Sequence, residues 1–204
     1  MVTPFTHFSL VKRAGLFAVR SVLLALALLA SAVSHASDLS EALRSSEYVL
    51  LIRHAYAPGV GDPANFSLAD CKSQRNLNDE GRKQSLRIGS WLKQQGVASA
   101  QVYASPWCRC KDTAELLKFD GFKLEASLAS FFNDMSKAKE SNIKLQHFIA
   151  ERIKNKGQQA LILVTHHVNI YEYMGENIGS GDMVLVKVNA KGGAVSHTTI
   201  RRPD

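Results

Sequence analysis

The sequence predicts an α/β protein, a three-layer α/β/α sandwich with a mainly parallel central sheet. Two continuous apolar segments, Tyr48–Arg53 (YVLLIR) and Ala160–Thr165 (ALILVT), are typical of strands that are buried on both faces. Segments of helical periodicity lie between them, and alternating strands and helices favour a parallel sheet covered on both sides. The 204 residues, 46% hydrophobic and 21% charged, have globular proportions and suffice for one domain.

The remaining elements follow from periodicity and from residues that begin or end helices. Asn78 is a typical helix N-cap, two acidic residues follow it in the first turn, and Gly96 ends that helix. The Gly192-Gly193 pair indicates a hairpin. The predicted helices cover residues 38–46, 78–95, 106–117, 141–156 and 169–174, the other predicted strands cover 101–105, 122–124, 183–188 and 194–201, and a long polar loop covers 55–76.

Residues 1–36 differ from the rest of the chain. They contain three basic residues and no acidic one, then the apolar run 21–33, then the small-residue pattern Ser34-His35-Ala36, which is the order of a secretory signal peptide. The 13 apolar residues are fewer than the roughly 20 that span a bilayer. We therefore expect cleavage, a domain of residues 37–204, and a periplasmic or secreted protein. The alternative is an uncleaved N-terminal anchor, in which case the protein contacts the membrane.

Charge narrows the choice of partner. Removal of residues 1–36 takes away three basic residues, so the formal net charge falls from +7 to +4. A mildly cationic domain suits an anionic substrate. The sequence has no Lys/Arg block and no series of base-stacking aromatic residues, so we expect no nucleic-acid partner.

The three cysteines would lie in an oxidising compartment after export, where disulfides persist. Cys108 and Cys110 are separated by one residue and are poor partners for each other. The expected bridge joins Cys71 to Cys108 or to Cys110, and the alternative is three unpaired buried cysteines. Their spacing matches no zinc site.

Candidate functional residues follow the strands. In a parallel sheet, ligands bind outside the carboxyl ends of the strands. The first predicted strand ends in Arg53-His54, Arg109 lies shortly after the second, and His166 lies at the end of the fourth. Neutral imidazole can attack phosphorus, and arginine forks match phosphate oxygens. No carboxylate cluster has the spacing of metal ligands. These residues predict phosphoryl transfer with no metal and no cofactor.

Four motifs occur in chain order over residues 49–170. They are LIRHA at 51–55, LNDEGRKQS at 77–85, the block formed by Ser105-Pro106, Arg109 and Thr113-Ala114, and VTH at 164–166. This ordered set resembles the histidine phosphatase superfamily, with Ala55 at a position where the family usually has glycine. His167 follows the last motif where a second branch of the superfamily has aspartate, so the resemblance is to the phosphoglycerate-mutase-like branch and implies its mixed sheet between helices.

The resemblance also implies residue roles. His54 would attack phosphorus and become a phosphohistidine that water hydrolyses, and Arg53, Arg109 and His166 would hold the phosphoryl oxygens. The family usually supplies a glutamate as proton donor, but Ser130 stands at that position. The hypothesis is that Asp134 replaces it; the alternative is that Asp134 is a helix N-cap. If no acid reaches the site, substrates with good leaving groups are favoured.

These inferences predict an exported phosphomonoesterase. The resemblance is closest to exported members that include the lipopolysaccharide core heptose phosphatases, so the expected substrate is a phosphorylated small molecule, such as an envelope sugar phosphate. The alternatives are a catalytically weak phospho-ligand-binding protein and a structural envelope protein. We expect His167 to be structural or to support a neighbouring site residue, and His147 and His197 to lie on the surface. The 55–76 loop, which carries Tyr56, Asn65 and Arg75, would cover the substrate or merely carry Cys71.

Overall fold

The apolar segments form the central strands of one six-stranded sheet in a computed structural model that describes residues 38–204. The strands follow the order β3-β2-β4-β1-β5-β6. The strands are β1 Tyr48–Arg53, β2 Ala100–Ala104, β3 Lys123–Leu124, β4 Ala160–Thr165, β5 Met183–Val188 and β6 Ala194–Ile200, and the helices are α1 38–44, α2 Asp79–Gln94, α3 Cys108–Leu116, α4 Ala138–Asn155 and α5 His167–Met174.

Strand pairing confirms the mainly parallel sheet. β3, β2, β4 and β1 pair in parallel, with Leu50 opposite Ile162 in the two central strands. β5 runs antiparallel to β1 and forms the predicted hairpin with β6. The carboxyl ends of the four parallel strands therefore lie at one edge of the sheet.

Each central strand contributes to two cores because successive side chains point to opposite faces of a sheet. Leu50 and Ile52 pack in one core with Leu43 of α1, Ile88 of α2 and neighbours from α3. Val49 and Leu51 pack in the second core with residues of α4 and α5, including Leu145 and Ile170. The sheet thus lies between two helical layers, which confirms the predicted three-layer sandwich.

Three helices begin at positions other than those predicted. α3 begins at Cys108 because Trp107 has an extended backbone, and Pro106 supplies no N–H. α4 begins at Ala138, ahead of the predicted residue 141, and its first turn is mostly exposed, so hydrophobic periodicity does not mark it. α5 begins at His167, immediately after β4.

Residues 1–36 lie outside the described part of the chain, so the predicted signal peptide stays a prediction. Residues 39–204 form one compact unit. Between residues 38 and 204, no helix has the length and apolarity needed to cross a membrane.

Candidate active site

The four residues singled out in the sequence lie together at the carboxyl ends of the parallel strands. Arg53 ends β1 and His54 follows it, His166 follows β4, and Arg109 lies in the first turn of α3. All four line one cavity of about 390 Å³. The ring centroids of His54 and His166 are 5.4 Å apart. We call these four residues the floor of the cavity.

His54 is oriented and kept neutral by its surroundings. Its Nδ1 lies 2.8 Å from the Ala55 carbonyl oxygen, so Nδ1 carries the proton that it donates there and Nε2 keeps its lone pair. Burial, reinforced by the positive charge of Arg109, holds the pKa of His54 well below its ordinary value. A neutral imidazole with a free Nε2 is the form required of a nucleophile.

The backbone after His54 is fixed by helices α2 and α3. The Ala55 N–H donates to Thr113 Oγ1 at 3.0 Å, and the Tyr56 N–H donates to Gln84 Oε1 at 2.8 Å. A Cβ at Gly81 would lie 2.0 Å from the Tyr56 carbonyl oxygen, so only glycine allows this close approach. The LNDEGRKQS motif therefore supports the backbone after the nucleophile and does not line the cavity.

Arg109 forms a buried ion pair that the sequence did not reveal. Its Nη1 lies 2.9 Å from Asp62 Oδ1, and the two side chains are 3% and 5% exposed. Asp62 also accepts hydrogen bonds from Trp107 Nε1 and from the Arg75 backbone N–H. Burial opposes ionisation of Asp62, but these hydrogen bonds outweigh it and hold its pKa below the usual value. Asp62 is thus a carboxylate that orients Arg109.

His166 is held by groups beneath the cavity. The Ser105 hydroxyl lies 2.8 Å from its Nε2, and Arg109 Nη2 lies 3.4 Å from its Nδ1. Burial, reinforced by the positive charge of Arg109, lowers its pKa well below the ordinary value. Cys110 Sγ lies 3.5 Å from the same Nε2, and burial raises the pKa of that thiol to about 12. Cys110 is therefore a protonated, enclosed neighbour rather than a second nucleophile.

Three arginines make the cavity electropositive. Arg53 donates from Nη1 to the Ile178 carbonyl oxygen at 2.7 Å. Its Nε and the Nε of Arg109 are buried and have no hydrogen-bond partner among the described residues. Arg75 also lines the cavity, held by the carbonyl oxygens of Ala57 and Gly61. Guanidinium donors in a largely buried site match the geometry and charge of a phosphoryl group.

The outer wall, which we call the mouth, includes residues 130–134, Lys137 and His167. Ser130 lies on this wall, and so does Asp134, the predicted proton donor. The Asp134 carboxylate pairs with Lys137 Nζ at 3.2 Å and accepts from the Ser136 hydroxyl at 2.5 Å. These hydrogen bonds from Ser136 and Lys137 hold its pKa below the usual value. Asp134 therefore has the position expected of a donor, whereas its charge state favours the deprotonated form.

Cys71 and Cys108 form a disulfide, which confirms one of the two predicted pairings, and Cys110 is free. The bridge fastens the loop after β1 next to Arg109. Within that loop Arg75 lines the cavity, whereas Tyr56 and Asn65 do not.

Some site residues escaped the sequence analysis. Asp62 was not considered, Arg75 was given no role, and His167 was expected to be structural although it lines the cavity. The acidic Asp62 between glycines and a proline, on the loop after His54, was the available signal. Among residues 38–204, no group of three or more His, Cys, Asp and Glu side chains could hold a metal ion.

The sheet order, the strand-end histidines and the arginine-lined cavity define a phosphatase of the phosphoglycerate-mutase-like α/β class. Residues 49–136 match the family described as the histidine phosphatase superfamily, branch 1. This match agrees with the resemblance that the ordered motifs predicted. No curated protein matches the chain.

Solved structures share the fold. The protein histidine phosphatase SixA complexed with tungstate is 18% identical with a TM-score of 0.51, and the match covers 76% of this chain and 96% of that one. Phosphoserine phosphatase from Entamoeba histolytica with 3-phosphoglyceric acid is 14% identical with a TM-score of 0.56, covering 77% and 98%. Mycobacterial glucosyl-3-phosphoglycerate phosphatase with VO3 is 12% identical with a TM-score of 0.52, covering 69% and 92%.

Proposed function

We propose that this phosphatase is an exported phosphomonoesterase that works through a phosphohistidine on His54. The observation that carries the proposal is the neutral His54 ring, with its Nε2 free, beside three arginines in one cavity. A buried nucleophile that carried a proton could not attack phosphorus.

In the proposed first step, His54 Nε2 attacks phosphorus and the bond to the leaving oxygen breaks. Arg53 and Arg109 neutralise the charge on the phosphoryl oxygens, because their guanidinium groups stay charged throughout. The Ser105 hydroxyl lies 2.8 Å from His166 Nε2, and Arg109 Nη2 can donate to His166 Nδ1 at 3.4 Å, so His166 helps to hold the Arg109 guanidinium at the phosphoryl oxygens. Water then attacks the phosphohistidine and releases inorganic phosphate.

The proposed substrate is a phosphorylated small molecule, for which an envelope sugar phosphate is our specific candidate. The cavity of about 390 Å³ is within the range of small-molecule sites. Its mouth carries exposed Phe132 beside polar Asn133, a combination that can contact the face of a sugar ring. The structures with 3-phosphoglyceric acid and VO3 support an anionic ligand on this fold. Export rests on residues 1–36 alone.

A second candidate is a phospho-ligand-binding protein with weak turnover. The observation that favours it is the low pKa of Asp134, which leaves the expected donor deprotonated. Retention of both His54 and His166 favours the enzyme, because binding needs positive charge but no nucleophile.

The test compares the full-length protein, expressed and purified after processing, with its His54→Ala variant. Phosphate release is measured from p-nitrophenyl phosphate and from a sugar phosphate, with chelator present. We expect chelator-resistant turnover by the wild type, a loss of at least about 10³-fold in the variant, and acid-labile phosphate on the wild type in a rapid quench. Full activity of His54→Ala contradicts the nucleophile, and phosphate binding without release supports the binding protein.

The same preparation tests export. We expect the intact mass of the purified protein to correspond to residues 37–204 and the protein to be recovered in the periplasmic or secreted fraction. A mass that includes residues 1–36 contradicts cleavage and supports the anchored alternative.

A further inference from the structure

The leaving oxygen of an alkyl phosphate needs a proton as its bond to phosphorus breaks. Two carboxylates line the cavity, and neither is free to supply it. Asp62 accepts from Arg109, Trp107 and the Arg75 backbone, so both of its oxygens are occupied. Asp134 is held as a carboxylate by Lys137 and Ser136.

The floor histidines are also committed. His54 gives its Nδ1 proton to the Ala55 carbonyl and attacks with Nε2. His166 is fixed between the Ser105 hydroxyl and Arg109 beneath the phosphoryl site. A donor to the leaving group must lie higher on the wall, where the rest of the substrate extends away from the floor.

His167 meets this requirement. It is the first residue of α5, it is partly exposed, and it lines the same cavity next to Phe132, with ring centroids 6.2 Å apart. Its ring makes no hydrogen bond to any other residue in the range 38–204. Among the cavity's acid–base side chains, this ring is therefore the one whose nitrogens are uncommitted.

The charges around His167 change when substrate binds. Burial, with the positive charges of Arg53 and Arg75, lowers the pKa of His167 in the empty site. A phosphoryl dianion between these arginines and the ring offsets their field and favours the imidazolium. The cavity also presents the floor groups His54, Arg109 and His166, the Asp62 carboxylate paired with Arg109, and the Asp134–Lys137 pair at the mouth. The two ion pairs each have no net charge, so the arginines and the substrate dominate.

We propose that His167 is the general acid and base of this phosphatase. This inference rests on the proposed function. When His54 Nε2 bonds to phosphorus, the electron pair of the broken bond goes to the leaving oxygen, which takes the proton of the His167 imidazolium. Neutral His167 then takes a proton from the water that attacks the phosphohistidine, which restores the imidazolium and returns His54 to its neutral form.

The test is the dependence on the leaving group in His167→Gln. p-Nitrophenolate leaves without help, whereas the alkoxide of glycerol 2-phosphate needs a proton. We expect kcat/KM for glycerol 2-phosphate to fall about 10²- to 10⁴-fold, and kcat/KM for p-nitrophenyl phosphate to fall by less than about fivefold. The matched control is His147→Gln, at an exposed position of α4 outside the cavity, which should change neither.

Two further readouts separate acid catalysis from a structural role. For glycerol 2-phosphate the wild-type rate should fall at high pH as His167 loses its proton, and this fall should be absent in His167→Gln. Added imidazole should restore part of the alkyl-ester activity of His167→Ala and none of that of His54→Ala.

Several results would overturn the proposal. If kcat/KM falls equally for both esters in His167→Gln, His167 has a structural role. If kcat/KM is unchanged for both, His167 has no role in the reaction. If kcat/KM for glycerol 2-phosphate falls selectively in Asp134→Asn and not in His167→Gln, Asp134 is the proton donor. A wild type that hydrolyses only p-nitrophenyl phosphate has no working donor. A wild type inactive on both esters overturns the proposed function as well, whereas activity that depends on His54 and not on His167 overturns this inference alone.

Discussion

The floor and the mouth of the cavity are built differently. His54, Arg109 and His166 on the floor are 2–3% exposed and are held by hydrogen bonds from strands, helices and the 55–76 loop. At the mouth, Phe132 is 42% exposed and His167 is partly exposed. The difference indicates that the nucleophile and the groups around it are held by burial and hydrogen bonds, whereas the groups that meet the rest of the substrate are less constrained. The nucleophile and the phosphate-binding groups are therefore fixed at the floor, whereas the proposed proton donor and the contacts that select the substrate lie at the mouth.

The largest expected effect is on the ion pair beneath the floor. Asp62→Asn leaves Arg109 as a buried cation without its counter-charge, so we expect the free energy of unfolding to fall by about 5 kcal/mol and turnover of every substrate to fall together. Urea unfolding and p-nitrophenyl phosphate hydrolysis measure both. The matched control is Asp112→Asn, whose pair with Arg82 is exposed and should cost less than about 1 kcal/mol. Equal losses of unfolding free energy in the two variants would show that the buried ion pair of the floor stabilises the protein no more than an exposed one.

The disulfide comes second because it joins the loop to the floor. It joins two cysteines with a sequence separation of 37, so removal should lower the free energy of unfolding by about 4 kcal/mol in the chain-entropy model. The variant Cys71→Ser/Cys108→Ser and the reduced wild type should agree in thermal unfolding, and reductant should not change the variant further. Unchanged activity and thermal stability after reduction would show that the disulfide does not stabilise the floor through the loop.

Lowering the pH should destabilise the folded protein through the two buried histidines of the floor. The pKa values of His54 and His166 lie well below the ordinary value in the folded protein, so between pH 7 and about 5.5 the unfolded chain binds protons that the folded chain does not. The free energy of unfolding should therefore decrease as the pH is lowered, by up to about 1.4 kcal/mol per pH unit for each histidine. In His54→Asn the fall should be smaller by about 1 kcal/mol over this interval. If the free energy of unfolding depends on pH equally in the wild type and in His54→Asn, burial of neutral His54 does not contribute to the pH dependence.

The smallest effect is expected for the aromatic ring of Phe132 at the mouth. Phe132→Ala removes a half-exposed ring, so we expect KM for a sugar phosphate to rise less than about tenfold and kcat for p-nitrophenyl phosphate to stay unchanged. Met135→Ala, at an exposed position that does not line the cavity, is the control. A large fall in kcat for p-nitrophenyl phosphate would place Phe132 with the floor and weaken the distinction between the two regions.

Much of the floor was predictable because its residues follow strands that hydrophobicity marks. β1 and β4 match their predicted bounds, and the parallel topology brings Arg53, His54 and His166 to one edge. The mouth was predicted less well because residues 129–137 are mostly short turns without periodicity. Position in the sequence suggested Asp134 as a donor, but the charge state of that carboxylate depends on where Lys137 and Ser136 place their side chains.

The sequence by itself determined the α/β architecture, the strand-end histidine and arginines and the phosphatase class, since alternation, runs of apolar residues and short motifs are local signals. Tertiary structure decided that Asp62 pairs with Arg109, 47 residues away, that Cys108 rather than Cys110 bonds to Cys71, and that His167 faces the cavity. Each of these depends on how loops and helix ends pack across the sheet edge, and no local pattern specifies that packing.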